Sequence, residues 1–216
     1  KDYSELMGQQ VKVMYTTDNK TKDVTLLGIY PTEKNKTVTA LGDDMDYSDT
    51  EKVEINDKDY KLASDIKIVA PNGEEISDAK ILDGTSVAAT SYYQYTLVDN
   101  NNDKTYEYAV VTPFAVAQID YLTASKLTLS TVGGTSLSPV AFDLKDDDVT
   151  LYKDAAEDDY VVVVPAAYTV DAYTLVTKAD IVSGKVAATK TDDNSKVTDV
   201  KVDGTWYSLA DKNAPG

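Results

Sequence analysis

The residues of this chain best suited to chemistry are carboxylates and amides in short polar turns. Asp99-x-Asn101-x-Asp103 sets three oxygen-bearing side chains at alternate positions, the spacing with which calcium-binding loops begin. Asp43, Asp44, Asp46 and Asp49 form a second acidic group, and Asp146, Asp147 and Asp148 a third. Calcium is the cation these suit, because it takes hard oxygen ligands from flexible loops. The 99–103 segment departs from an EF-hand at once. Lys104 stands where Gly is required, Val110 where the bidentate Glu belongs, and alternating strand patterns flank it in place of helices. Two readings follow for it: a weaker surface calcium site, or a polar hairpin turn with no ion.

Other chemistry is restricted by missing residue types. The chain has no His and no Cys, and all 21 of its basic residues are Lys. That removes the Ser-His-Asp triad, the Cys-His pair, the ordinary zinc site and any disulfide. Without Arg there is no bidentate phosphate clamp. Gly133-Gly134 is an isolated pair and reads as a turn, not a phosphate loop. A glycosidase carboxylate pair and a Ser-Lys dyad survive formally, yet no pair is singled out by an apolar setting. A non-catalytic protein is the expectation.

The 37 acidic residues give a net charge of −16, which repels phosphate backbones and excludes nucleic acid as an expected partner. No stretch approaches the length that spans a membrane; the longest apolar run, 160–168, is broken by Pro165. The start at Lys1, with no leader pattern, reads as a mature or excised piece.

Aromatic residues supply the remaining candidates. Of sixteen Tyr, five (Tyr92, Tyr93, Tyr95, Tyr106 and Tyr108) fall on one expected hairpin. Strand alternation puts Tyr93 with Tyr95 on one face, and Tyr106 with Tyr108 on one face of the partner strand. A cross-strand tyrosine ladder is expected, and Tyr93, Tyr95, Tyr106 and Tyr108 are candidate binding residues for a sugar ring or a subunit.

The elements that must position these groups are short strands. Gln10–Tyr15, Val24–Tyr30, Lys36–Leu41, Ser91–Val98, Thr105–Val111, Val116–Leu122, Tyr160–Val164, Ala172–Val176, Ile181–Thr189, Val197–Val202 and Trp206–Leu209 alternate or run apolar, with turn residues between them. One or two helical turns are expected at Asp2–Gly8, and an acidic insertion at Gly42–Asp49. A strand-turn-strand unit closing on Asp recurs at Lys52–Asp65, Lys126–Asp143 and Thr198–Asp211. The expected class is therefore all-β: two or three small related β-sandwich or barrel modules in tandem, at 1–82, 83–148 and 149–216.

The string Gly8-Gln-Gln-Val-Lys-Val-Met-Tyr15, then Asp18-Asn-Lys20, then Val24-Thr-Leu-Leu-Gly-Ile29, resembles the β-rich region downstream of the anchoring repeats in Gram-positive surface-layer proteins. Val202-Asp-Gly-Thr-Trp-Tyr207 is similar to the Asp-Gly turn before Tyr with which such segments finish. The resemblance implies an extracellular, cell-surface structural protein that self-associates, with attachment to the wall through segments outside this chain. Alternatives of other kinds are an adhesin or carbohydrate-binding module and a phage virion structural protein.

Overall fold

The structure, a computed structural model, describes residues 3–41, 44–49, 51–83, 92–133, 136–146, 149–166, 174–191, 195 and 197–208. It is all-β, as expected. The first strands are β1 (Val11–Thr17), β2 (Val24–Pro31), β3 (Lys36–Leu41), β4 (Met45–Asp49), β5 (Lys52–Ile55) and β6 (Lys58–Val69). They are followed by β7 (Tyr92–Asp99), β8 (Thr105–Leu122), β9 (Lys126–Val132), β10 (Ala141–Asp143) and β11 (Val149–Leu151). The last are β12 (Tyr160–Val164), β13 (Thr174–Lys178), β14 (Val186–Thr191), β15 (Val197–Val202) and β16 (Thr205–Ser208). Ser4–Leu6 and Ala79–Leu82 are 3-10 turns.

Eleven strands form one branched sheet around β8. Along its 18 residues β8 runs parallel to β6 and antiparallel to β7, then antiparallel to β12 and β9. Its partners change within a few residues: β6 ends opposite Val110 and β7 opposite Phe114, while β12 begins opposite Ala115 and β9 opposite Val116. Pro113, which has no N–H to give a ladder, lies in that interval. The sequence suggests two strands here, 105–111 and 116–122; backbone pairing on both sides makes them one.

Strand alternation places Ala109, Val111, Ala115, Ala117 and Ile119 of β8 on one face, and all five are buried. The first half joins a core with Met45, Val53, Leu62, Leu82, Tyr95 and Leu97. The second joins a core with Leu127, Leu129, Val161, Val163 and Val176. The two cores thus divide in the middle of β8. Hydrogen bonding crosses residues 82/83, where β3 and β6 pair with β7 and β8, and residues 148/149, where β12 pairs with β8.

Two of the three segments expected to recur contain tight hairpins. β5–β6 turns through Asn56-Asp57 (φ +51° and +61°) and β15–β16 through Asp203-Gly204 (φ +46° and +90°), both two-residue turns with left-handed central residues. β9 and β10 pair antiparallel across a longer connection, and the third closing Asp, Asp211, lies outside the described residues. Part of the expected acidic insertion is β4, paired with β5. The strand expected from Ile181 begins only at Val186. β1–β2 and β14–β15–β16 form two separate small sheets.

A carboxylate ties the edge of the second core. Asp159, just before β12, accepts hydrogen bonds from Lys178 Nζ on β13 (2.8 Å), Tyr152 Oη after β11 (2.6 Å) and the Ala156 amide (3.1 Å). Lys178 first, and Tyr152 next, hold the Asp159 carboxyl down at about 2. Burial, with Asp159 opposite, raises the Tyr152 phenol.

Because the depressed group is an acid, its contribution is fully present above its unfolded value and is lost as pH falls from about 4 to about 2. Asp159→Asn should flatten the acid limb of a stability-versus-pH curve within that window and leave the curve unchanged in shape between about pH 5 and about pH 9, below the range in which the Tyr152 phenol titrates. Leu97→Ala in one core and Leu127→Ala in the other should each remove about 2–5 kcal/mol in urea unfolding. Because β8 threads both cores, both substitutions should shift the same calorimetric transition.

Candidate functional site

The acidic turn between β7 and β8 is organised by one buried carboxylate. Asp99, 1% exposed, accepts the amides of Asn101 (3.1 Å), Asn102 (2.6 Å) and Asp103 (3.3 Å) on Oδ1, and the Lys104 amide (2.8 Å) on Oδ2. Asp does this readily because its short side chain reaches amides two to five residues on. The price is left-handed backbone at Asn102 and Lys104 (φ +64° and +71°), which Asn adopts more easily than Lys. Asn101 Oδ1 accepts the Asp103 amide (2.8 Å), and Asp103 Oδ1 accepts the Thr105 amide (2.8 Å). Thr105 is the main cause holding the Asp103 carboxyl below its ordinary value, with Lys61 a minor one.

Glu107 completes this turn, and reading the sequence did not single it out. From β8 it accepts the Asn100 amide (2.9 Å) and Asn101 Nδ2 (3.0 Å). Alternation from Thr105 could have placed its side chain back over the turn. Oxygens of Asp99, Asp103 and Glu107 lie within 4.8 Å of one another. Three of these positions could present oxygens to a hard cation, but backbone amides already occupy both oxygens of Asp99. The turn is therefore closed by its own N–H groups.

The other acidic candidates are placed elsewhere. Asp46 faces Glu54 across β4–β5, Asp49 is in register with Lys52, and neither Asp44 nor Asp46 belongs to a described cluster of acids. Asp146 is exposed beyond β10. Asp43, Asp147 and Asp148 lie outside the described residues.

The same turn clasps the base of the β1–β2 ribbon. Asn100 Oδ1 accepts the Gln10 amide (2.7 Å), and Asn100 Nδ2 donates to the Gly8 carbonyl (2.9 Å). Asn35 Nδ2 donates to the Gln10 carbonyl (2.8 Å) from the far side. Gly8 is needed there twice over. Its φ is +73°, and a Cβ would come 2.9 Å from Cβ of Tyr108.

Beyond this clasp the ribbon is apolar and uncovered. Val13, Met14, Tyr15, Val24, Leu26, Leu27 and Tyr30 are 49–66% exposed. Val13 pairs with Ile29 and Tyr15 with Leu26, Leu27 being the extra residue of a bulge. Paired residues share a face, so one face carries Val11, Val13, Tyr15, Thr17, Val24, Leu26, Ile29 and Pro31. The opposite face carries Lys12, Met14, Thr16, Thr25 and Tyr30, with the Tyr30 ring lying over Gly28.

The tyrosine candidates need correction. Tyr95 is fully buried and Tyr106 is 8% exposed; only Tyr93 and Tyr108 are half-exposed. The expected cross-strand ladder does not form, because the register sets Tyr93 opposite Pro113, Tyr95 opposite Val111 and Tyr108 opposite Val98. Instead Tyr93 and Tyr95 stack along β7 (centroids 6.3 Å apart, planes 19°), and Tyr106 meets Tyr60 of β6 edge-on at 5.7 Å. Burial raises the Tyr106 phenol above its usual value, with Tyr60 and Asp99 adding to the shift. Tyr95 and Tyr106 are core residues and offer no face to a sugar.

A cleft of about 370 Å³ lies beside the sheet, lined by Thr37, Thr39, Gln94, Thr96 and Thr112 with Glu5 as its acid. Comparison with family models, with curated proteins and with solved structures gave no match to this chain. What fold and site define is an all-β protein whose most distinctive surface is an apolar ribbon held at its base by a polar turn.

Asn100→Ala should loosen the ribbon without unfolding the sheet. Losing two hydrogen bonds worth about 0.5–1.5 kcal/mol each should speed amide exchange in β1 and β2 by about tenfold or more. Exchange in β8 should stay as in the parent; equal acceleration in both would show that the turn does not hold the ribbon specifically.

Proposed function

We propose that this chain is a non-catalytic structural element of an extracellular bacterial surface assembly, a surface layer or similar coat, and acts by associating with copies of itself. The supporting observation is where its uncovered apolar side chains fall. Of the sixteen large hydrophobic residues exposed among the described ones, twelve lie in two stretches, seven on 11–31 and five on 181–207. Ten of these twelve lie on the two small sheets, and Ile181 and Val182 precede β14. Exposed apolar residues scattered singly mean little, but concentrated on small sheets with free edges they mark an interaction surface.

The resemblance of the first 70 residues to surface-layer segments supports the same reading, as does the want of His, Cys and Arg for chemistry. Attachment to a cell wall would then fall to segments outside this chain. A carbohydrate-binding role through the β7–β8 tyrosines has less support, since two of its four residues are in the core. Calcium bridging, in this reading, would use Asp103 and Glu107 beside Asp99 and would add to apolar association without replacing it.

Light scattering should show a weight-average mass that rises with protein concentration. It should rise further with added salt, which screens repulsion between copies that each carry −16. The association should persist in EGTA. A monomer at high concentration, with and without millimolar calcium, would overturn the proposal.

A further inference from the structure

We propose that the uncharged face of the β1–β2 ribbon pairs, about a two-fold axis, with the same face of a second copy of this chain. This rests on the self-association proposed above and names the surface that performs it.

Three observations converge on that face. First, it is apolar and open. Val13, Tyr15, Val24 and Leu26 share it and are 49–66% exposed, with Val11 and Ile29 beside them. The Leu27 bulge matters here, because it keeps Leu26 and Ile29 on one side although they are three residues apart. Second, the ribbon has only two strands, and a two-stranded antiparallel pair is marginal in water without a packed face. The sheet it belongs to contains no other strand, and the exposure of Val13, Tyr15, Val24 and Leu26 shows that no described residue supplies the second layer that an apolar sheet face packs against.

Third, charge selects the partner. In a chain with 58 charged residues, none of the eight residues of this face is charged. Asp18 and Asp23 sit at the ribbon's tip, and Lys12 is on the opposite face. Two molecules that each carry −16 repel over most of their surfaces, and this face lets them meet without opposing carboxylates. A basic partner would be drawn to the acidic surfaces instead. An isologous contact needs only one self-complementary patch, which this face supplies.

The area is sufficient. Large side chains left about half exposed present roughly 500 Å² on this face, so a two-fold pair would bury about 1,000 Å², the lower bound of a specific interface. The clasp through Asn100 gives the ribbon a fixed base, which limits the ordering entropy lost on pairing.

The experiment uses sedimentation velocity and disulfide trapping on the full chain. Val24→Lys with Leu26→Lys places two charges on the face at positions already largely exposed, so circular dichroism should be unchanged while the dimer dissociation constant rises by about tenfold or more. The parent has no Cys, which makes trapping free of background. Tyr15→Cys or Leu26→Cys should yield a covalent dimer under mild oxidation, whereas Thr25→Cys, on the opposite face, should not. If the parent associates but the double Lys variant associates equally well, or if Thr25→Cys crosslinks as efficiently as Tyr15→Cys, this face is not the interface and only the present inference falls. A parent that stays monomeric and uncrosslinked would overturn both this inference and the self-association on which it rests.

Discussion

The structure depends on the backbone ladder of β8. A strand of 18 residues cannot bend freely while it is hydrogen-bonded on both sides, and β8 is bonded to four partners along its length. Its pairing partners change between Val110 and Val116, yet its side-chain alternation does not slip there. Ala109, Val111, Ala115, Ala117 and Ile119 therefore stay on one buried face across the change of neighbours. Small residues at three of these five positions let the covering side chains approach closely. Irregularities fall to either side of that change: the pairing of β6 jumps from Leu62 opposite Tyr106 to Lys67 opposite Tyr108, and β8 shifts register against β9 between Ile119 and Tyr121. Two cores are built on one spine.

Acidic residues are accommodated around that spine by hydrogen bonding. Asp99 is buried with its oxygens given to four turn amides, Asp159 is held by a lysine, a phenol and an amide, and Asp18 caps its own turn by accepting the amides of Lys20 and Thr21. Amides and lysines that favour the ionised form lower the carboxyls of Asp18, Asp103 and Asp159. A chain with so large a negative charge can thus place acids at its structural joints. The joint at Asp99–Lys104 has a second consequence: its Asn100 fixes the root of the ribbon, so a polar feature of the main sheet sets where an apolar surface is displayed.

The two small sheets differ in how they treat their aromatic residues. In β14–β16, Trp206 lies beneath the ammonium groups of Lys190 and Lys201 (4.7 and 5.6 Å from the ring centroid), and Lys190 also reaches Asp199 at 3.6 Å. That sheet lays two of its own cations over its largest ring, which is still 39% exposed. In β1–β2 the Tyr30 ring covers Gly28, and among the described residues no cation–ring contact falls on the opposite face.

Much of the secondary structure was legible from local pattern. Alternation marked most strands, and Asp203-Gly204 marked the turn between β15 and β16, because these signals depend on neighbours a few residues apart. The missing His, Cys and Arg bounded the chemistry before any fold was known, since side-chain type alone sets which bonds can form. Burial was not legible. Tyr15 in Val-Lys-Val-Met-Tyr and Tyr95 in Tyr-Tyr-Gln-Tyr-Thr-Leu both sit in strand-like stretches, yet one is 60% exposed and the other fully buried. Glu107 was missed for the same reason, because its partners lie across a turn whose backbone had first to be folded over Asp99. The sequence by itself determined the all-β class, most of the strands and the Asp203-Gly204 turn, and which side-chain chemistries the residue types exclude. Which strand faces gained a second layer, and which acids met, only tertiary pairing decided, because a strand's local pattern gives it two faces but says nothing of what arrives from elsewhere in the chain to cover them.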